Sequence, residues 1–293
     1  MFHIISDSAC DLADAYIQEH DVTLVPLYVT VDGVHYLKDR VEMKERELYR
    51  LMVEEHVYPK TSLASVEDFA DVCRPFVAAG EPVVMMTIST HLSGCYNSAR
   101  MAKEVLLEEY PDAQIAVIDS LQNTVEQGLY VNEAVRMRDD GVPFDVAVEK
   151  LLKMRSMSRI FFTIGSLEYM KKNGRIGKLA VLAGDKLGIR PIIVLNNGEV
   201  TLGGVARTRK KSVALALQSC KKFFGDNHLN KEDYTFCVGY GYDVEEGKAF
   251  IQTVEQELGV TCVHIGDQIG IASAVHTGPY PLGIGVMPKY EIV

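Results

Sequence analysis

Consecutive apolar residues at Val83 to Met86 and Ile115–Ile118 punctuate the chain, and Phe2–Ile5 reads as a further short strand. Runs without polar alternation mark strands buried on both faces. Thr23–Val31 reads as a further strand, with Pro26 suited to an edge or a strand start, and Asp32-Gly33 makes a turn. Between these runs lie longer stretches that read as helices: Leu12 to Glu19, Met43–His56, Val66–Ala79, the segment from Gly94 to about Glu109, and Thr124–Arg138. Ser65, with Asp68 three residues on, is the N-cap signature for the third of them. Strand and helix alternating in this way predict a doubly wound parallel sheet over roughly residues 1–140.

A helix at Phe144–Met157 bridges to a second unit, and from Ile160 the pattern changes. Arg190 to Leu202 holds two apolar runs joined by Asn196-Asn197-Gly198, a hairpin signal. A helix is expected over about Arg209–Phe224, strands at Tyr234–Tyr240 and Thr261–Ile265 flanking a helix at Val244–Leu258, and a last strand at Gly283–Met287. The expected fold is therefore α/β: a doubly wound parallel-sheet domain at 1–157, then an α+β domain with a mainly antiparallel sheet at 158–293.

Composition narrows the partners. With 293 residues the chain can hold two domains and a large core. A net charge of -10 argues against nucleic acid or an anionic membrane as the main partner. The start is too short and too interrupted by Asp7 for a signal peptide, and no apolar run is long enough to span a bilayer. Six scattered cysteines without a Cys-x-x-Cys fit reduced thiols in a cytoplasm.

The loop after Met86 carries the chemistry. Ser89, Thr90 and Ser93 precede Gly94 and a helix, so hydroxyls and free amides gather at the positive end of a helix dipole. Such a place attracts an anion. It has no Lys, no Arg and no phosphate-loop pattern, so one carboxylate suits it better than a polyphosphate. Asp7-Ser8, Thr61-Ser62 and Asp119-Ser120 fall near the same sheet edge, where open α/β sheets bind ligands. Asp7 and Asp119 are read as caps or turn residues, since a metal would want a third carboxylate or histidine at ligand spacing. Arg175 and Lys178 follow a helix stop at Asn173-Gly174, and Arg207 opens a second basic run to Lys211. Cations at a helix N-terminus oppose its dipole, so an acidic or phosphorylated partner is one explanation and a solvated face the other. His276 lies in a turn-rich loop. Ser93 and His276 admit an alternative, a Ser/His acyl hydrolase, although Ser93 lacks a Gly-x-Ser-x-Gly setting and an orienting acid.

In order along the chain, the segments Asp7 to Leu12, Pro59 to Ser62 with Ser65, Ile88 to Gly94 with Tyr96 and Ser98-Ala99, Asp119-Ser120 with Gly128, Leu167 to Ile176 around Asn173-Gly174-Arg175, Arg207, and His276 to Pro279 resemble the DegV family. These are bacterial fatty-acid-binding subunits that work with a fatty acid kinase. The resemblance implies a long-chain fatty acid buried between the two domains. Its carboxylate would be held by Thr61, Ser62, Ser93 and His276, with Gly94 and Thr277 beside them. It implies docking of the kinase catalytic subunit by Arg175 and Arg207, a presenting role without catalysis, no cofactor, no nucleic acid, and room for transient membrane contact. The chain departs from the family pattern at Cys95, Leu63-Ala64 and Tyr280-Pro281. Phe161, Phe162, Ile164, Leu167, Ile192, Ile193 and Val194 are candidates to line the acyl tunnel, plain core packing being the competing role for each.

Overall fold

The computed structural model describes residues 1–182, 188–266 and 268–293. The first half contains β1 (His3–Asp7), α1 (Asp14–Glu19), β2 (Val22–Val25), β3 (Tyr28–Thr30), β4 (Leu37–Lys38), α2 (Glu45–Glu54), β5 (Lys60–Ser62) and α3 (Val66–Ala78). It continues with β6 (Val83–Thr87), α4 (Cys95–Glu109), β7 (Ile115–Asp119), α5 (Thr124–Asp139) and α6 (Phe144–Met154). The second half contains β8 (Arg159–Thr163), α7 (Glu168–Lys172), β9 (Arg190–Asn196), β10 (Glu199–Ala206), α8 (Arg209–Asp226), β11 (Tyr234–Tyr240), α9 (Val244–Leu258), α10 (Ile271–Thr277) and β12 (Leu282–Pro288).

The expected parallel sheet is present, in the order β2-β1-β6-β7 with every pair parallel. Every residue of β1 and β6 is buried, which is why their sequence shows no polar alternation. Side-chain alternation still divides them. Ile5, Val83 and Met85 pack with Phe69 of α3 and Leu106 of α4, whereas Ile4, Val84 and Met86 pack with Leu129 of α5 and Leu151 of α6. At the start of α3, Ser65 and Asp68 close the reciprocal capping box that their spacing predicts.

Three expectations need correction. Thr23–Val31 is two strands: β2 belongs to the parallel sheet, while β3 joins a separate antiparallel sheet of order β4-β3-β5. Pro26 separates them because it has no amide proton for a ladder, and the next amide, Leu27, is taken by the Ser8 hydroxyl at 3.0 Å. Thr261–Ile265 makes one parallel bridge, Phe236 with Cys262, instead of a strand. Its Val263 amide reaches the Phe236 carbonyl at 2.8 Å, on a β11 already paired along its length with β12. His276 sits in the last turn of α10, not in a loop. That helix ends at Gly278, whose φ of 77° suits a residue without Cβ.

The second sheet has the order β10-β9-β8-β12-β11 and is antiparallel throughout. Asn197 and Gly198 both take positive φ, 48° and 81°, at the predicted hairpin turn. Helices α8 and α9 cover one face, where Phe161, Ile284 and Phe236 meet Leu217, Phe224 and Phe250. The other face meets α5, which also packs on β1 and is therefore buried on nearly all sides, from Val125 to Met137. One core runs through α5 from the parallel sheet to Ile160, Leu195 and Cys237 of the second. Helix α10 crosses back to pack on α2, β3 and β5. No described helix is long and apolar enough to cross a membrane.

Three carboxyls are buried around the end of β1. Burial raises Asp7 to about 6, Asp39 to about 7 and Asp11 to about 8, against hydrogen bonds from Gln127, Ser8 and Thr124 that favour the charged forms. Each is held protonated more tightly in the folded than in the unfolded chain. The stability they contribute is thus complete below about pH 4 and is lost as pH rises through about 6 to 8. Melting temperature is expected to fall over that window, and Asp11→Asn to make the fall shallower; a slope unchanged by Asp11→Asn would contradict the assignment.

Candidate functional site

The ends of β5 and β6, the start of α5 and the inner turn of α10 converge on one place. The loop from Ile88 to Gly94 is fixed from both sides. Thr90 donates its hydroxyl to Asp119 at 2.7 Å, and Ser89 donates to the Gly198 carbonyl at the hairpin tip at 3.0 Å. A Cβ on Gly198 would lie 2.4 Å from that Ser89 Oγ, so the approach requires glycine. Asp7 accepts from the amides of Ile88 and Ala9 and from Gln127, and Asp119 from the amides of Thr90 and Leu121. Both aspartates are structural, as their positions at caps and turns suggest.

Gly94 caps α4 with no side-chain bond; in the first turn Ser93 Oγ accepts from the Cys95 amide at 3.3 Å and the Gly94 carbonyl from the Asn97 amide at 3.0 Å. The Ser93 hydroxyl itself donates to Cys95 Sγ at 3.2 Å. Burial pushes the Cys95 thiol up to about 12, so it stays neutral. Across the opening, His276 Nε2 lies 3.1 Å from Thr61 Oγ1. Burial, and secondarily the Arg175 guanidinium, lowers His276 to about 4, so the imidazole is neutral at physiological pH. Its Nδ1 is buried with no partner among the described residues.

These groups ring a cavity of about 220 Å³. That is far larger than the roughly 10–15 Å³ one water needs. Thr61, Ser62, Ser93, Gly94, His276 and Thr277 all line it, as does Arg175 at its exposed rim. Arg175 is held there by the carbonyls of Leu92 and Asn173, at 3.0 and 3.2 Å. Thr277 donates its hydroxyl to the Ser273 carbonyl at 3.0 Å, so its proton serves the helix first. Arg207 does not line the cavity; it is exposed just past the end of β10.

Of the seven apolar tunnel candidates only Phe162 lines the cavity. Strand alternation sends Phe161 and Val194 to the face under α8 and α9, and Ile192 packs with Ala206 and Ala216. Ile164, Ile193 and Leu167 form a satellite core with Met170 and Leu179. The walls are instead Ile160, Leu195 and Val200 from the second sheet, Leu27, Ile88 and Leu92 from the first unit, Ile269 just before α10 and Ala272 on it. Asn123, Thr124 and Ser273 also line it and were not singled out from sequence. The signal for the first was present, since Asn123 directly precedes a predicted helix and does cap it. Of the departures from the family pattern, Leu63 lines the cavity while 43% exposed, so it shapes the mouth; Tyr280 lies outside it.

Among the described residues Ser93 and His276 are not hydrogen-bonded to each other. Ser93 bonds to Cys95 and His276 to Thr61, and no carboxylate among the described residues orients the imidazole.

A parallel-sheet α/β unit and an antiparallel α+β unit that together wall one apolar cavity, with uncharged donors near its opening and Arg175 on its rim, define the architectural class. The family follows from comparison. The model described as "Uncharacterised protein, DegV family" matches residues 1–289, and the chain belongs to the DegV family. A DegV domain-containing protein of Clostridium perfringens is 30% identical over 280 residues, 94% of each chain. A crystal structure described as a fatty acid (stearic acid)-binding protein from Eubacterium ventriosum matches with a TM-score of 0.96 and 51% identity, covering 100% of both chains. A DegV family protein from Thermus thermophilus, described by its fatty acid binding, matches with a TM-score of 0.86 and 27% identity over 98% of this chain and 99% of that one.

Proposed function

We propose that this chain binds a long-chain fatty acid in the cavity and presents its carboxylate to a fatty acid kinase for acyl-phosphate formation. The observation that carries the reading is one apolar cavity that gathers uncharged donors toward its opening, namely Thr61, Ser62, Ser93, the Gly94 end of α4 and neutral His276, with Arg175 the one cation among its described lining residues. Each methylene buried contributes about 0.8 kcal/mol, so the tail supplies most of the affinity. The head then needs few hydrogen bonds, each about 1.5–3 kcal/mol when one partner is charged. Neutral donors hold a carboxylate without the tight bidentate clamp of a buried arginine, leaving an oxygen free to attack phosphorus. The stearic acid described for the 51% identical neighbour supports the ligand class.

In this reading residues 1–157 supply most of the head-group site and residues 158–293 the floor, and the protein works in the cytoplasm with transient membrane contact during exchange. Arg175 at the rim and exposed Arg207 face the kinase and its phosphoryl donor rather than the tail. The test is reconstitution with a fatty acid kinase catalytic subunit, ATP and palmitic acid: acyl phosphate should form only when this chain is added. No dependence on the chain would sink the presenting role. Arg175→Ala is expected to keep its bound acid while acyl-phosphate formation slows by about tenfold or more, the loss of one charge-assisted contact. Loss of the acid instead would place Arg175 in the lipid site.

A further inference from the structure

The cavity is graded in exposure. Ser62, Leu63 and Arg175 at one end are exposed, whereas Gly239, Gly283, Ile160 and Ile269 at the other are buried. At that deep end the inner face of the second sheet is bare. Phe162, Gly283 and Gly239 are register partners across β8, β12 and β11, and all three line the cavity. One bulky ring is thus followed by two positions without side chains. The two glycines differ in what they tolerate. A Cβ on Gly283 would fall 2.6 Å from the Phe161 carbonyl oxygen and 2.3 Å from Phe162 Cβ, so that glycine is required by the pairing of two strands. A Cβ on Gly239 would meet side chains only, Val125 Cγ1 at 3.0 Å and Ile269 Cγ1 at 3.2 Å. Ile269 is held by its backbone: its amide donates to the Tyr240 carbonyl at 2.8 Å and its carbonyl accepts from the Tyr49 hydroxyl at 2.8 Å. Its buried side chain lines the cavity beside Gly239.

We infer that the methyl end of the acyl chain lies on the Gly239–Gly283 strip, with Ile269 setting the longest chain that fits. This rests on the fatty-acid reading above and adds to it the residues that measure chain length. Ile269→Ala lengthens the cavity at its closed end and leaves both backbone hydrogen bonds in place. Gly239→Ala sets a methyl group against Ile269 and Val125, takes space at that end and shortens it. Each methylene that gains or loses burial changes affinity by roughly fourfold.

The experiment loads delipidated protein with an equimolar mixture of palmitic, stearic and eicosanoic acids and reads the bound species by native mass spectrometry. Relative to wild type, the eicosanoic-to-palmitic ratio is expected to rise by at least about fourfold in Ile269→Ala and to fall by a similar factor in Gly239→Ala. If Gly239→Ala does not fold, the direction of the Ile269→Ala shift decides alone. Wild type binding acid while Ile269→Ala keeps the same ratio overturns the chain-length assignment and leaves the fatty-acid reading intact. Wild type that takes up none of the three acids overturns that reading, and this inference with it.

Discussion

Ala272→Phe is expected to give a folded protein that holds no acid. Ala272 lies on α10, four residues before His276, and it is the smallest side chain among the cavity walls that is not glycine. It is 6% exposed and also borders the core formed by α3 and α4, so its surroundings are apolar. A phenyl ring there takes a large share of the 220 Å³ otherwise left for an acyl chain. Overpacking a filled core typically costs about 1–3 kcal/mol, but here the ring enters existing space and gains buried apolar area. The lipid-free variant should therefore melt no more than a few degrees below lipid-free wild type, while the roughly 0.8 kcal/mol per methylene available to the ligand is lost over much of its length. Tight binding of palmitic acid by a well-folded Ala272→Phe protein would put the ligand elsewhere.

His276→Leu is expected to weaken binding by about ten- to a hundredfold, the effect of removing one hydrogen bond to a charged group. Without ligand the same change should be close to neutral for stability, because it deletes a buried Nδ1 that has no partner, at the cost of leaving the Thr61 hydroxyl without its imidazole. The pH dependence separates this from simple loss of packing. His276 is depressed to about 4 in the folded chain against about 6.5 unfolded. The stability linked to it is complete above about pH 6.5 and is lost as pH falls toward 4. That acid-side loss should shrink in His276→Leu. An unchanged acid limb together with unchanged affinity would remove the imidazole from the site.

What the sequence reveals here follows from how local each signal is. Val83 to Met86 of β6 announce a buried parallel sheet because four apolar residues follow one another without polar alternation, and Asn197-Gly198 announces its hairpin because the turn demands positive φ at both residues. The Pro26 break is equally local, yet a strand edge and a strand end look alike until the partner sheets are known. Helix α10 is only seven residues long and begins at Gly270 without a side-chain cap, so two turns of Ile271 to Thr277 leave little periodicity to detect. The meeting of Thr61 with His276, 215 residues apart, is beyond any local rule and came through the resemblance of separate motifs. The apolar walls were the least legible. Phe161 and Phe162 differ in nothing but phase, and only the pairing of β8 with β12 turns Phe162 toward the cavity and Phe161 toward α8.

The central claim is that the cavity is an acyl site. Denaturing the purified protein and quantifying the extracted lipid by mass spectrometry tests it most directly. Close to one long-chain carboxylic acid per chain is expected from wild type after exposure to fatty acid, and almost none from Ala272→Phe. No acid in wild type, or the same amount in both proteins, would contradict it.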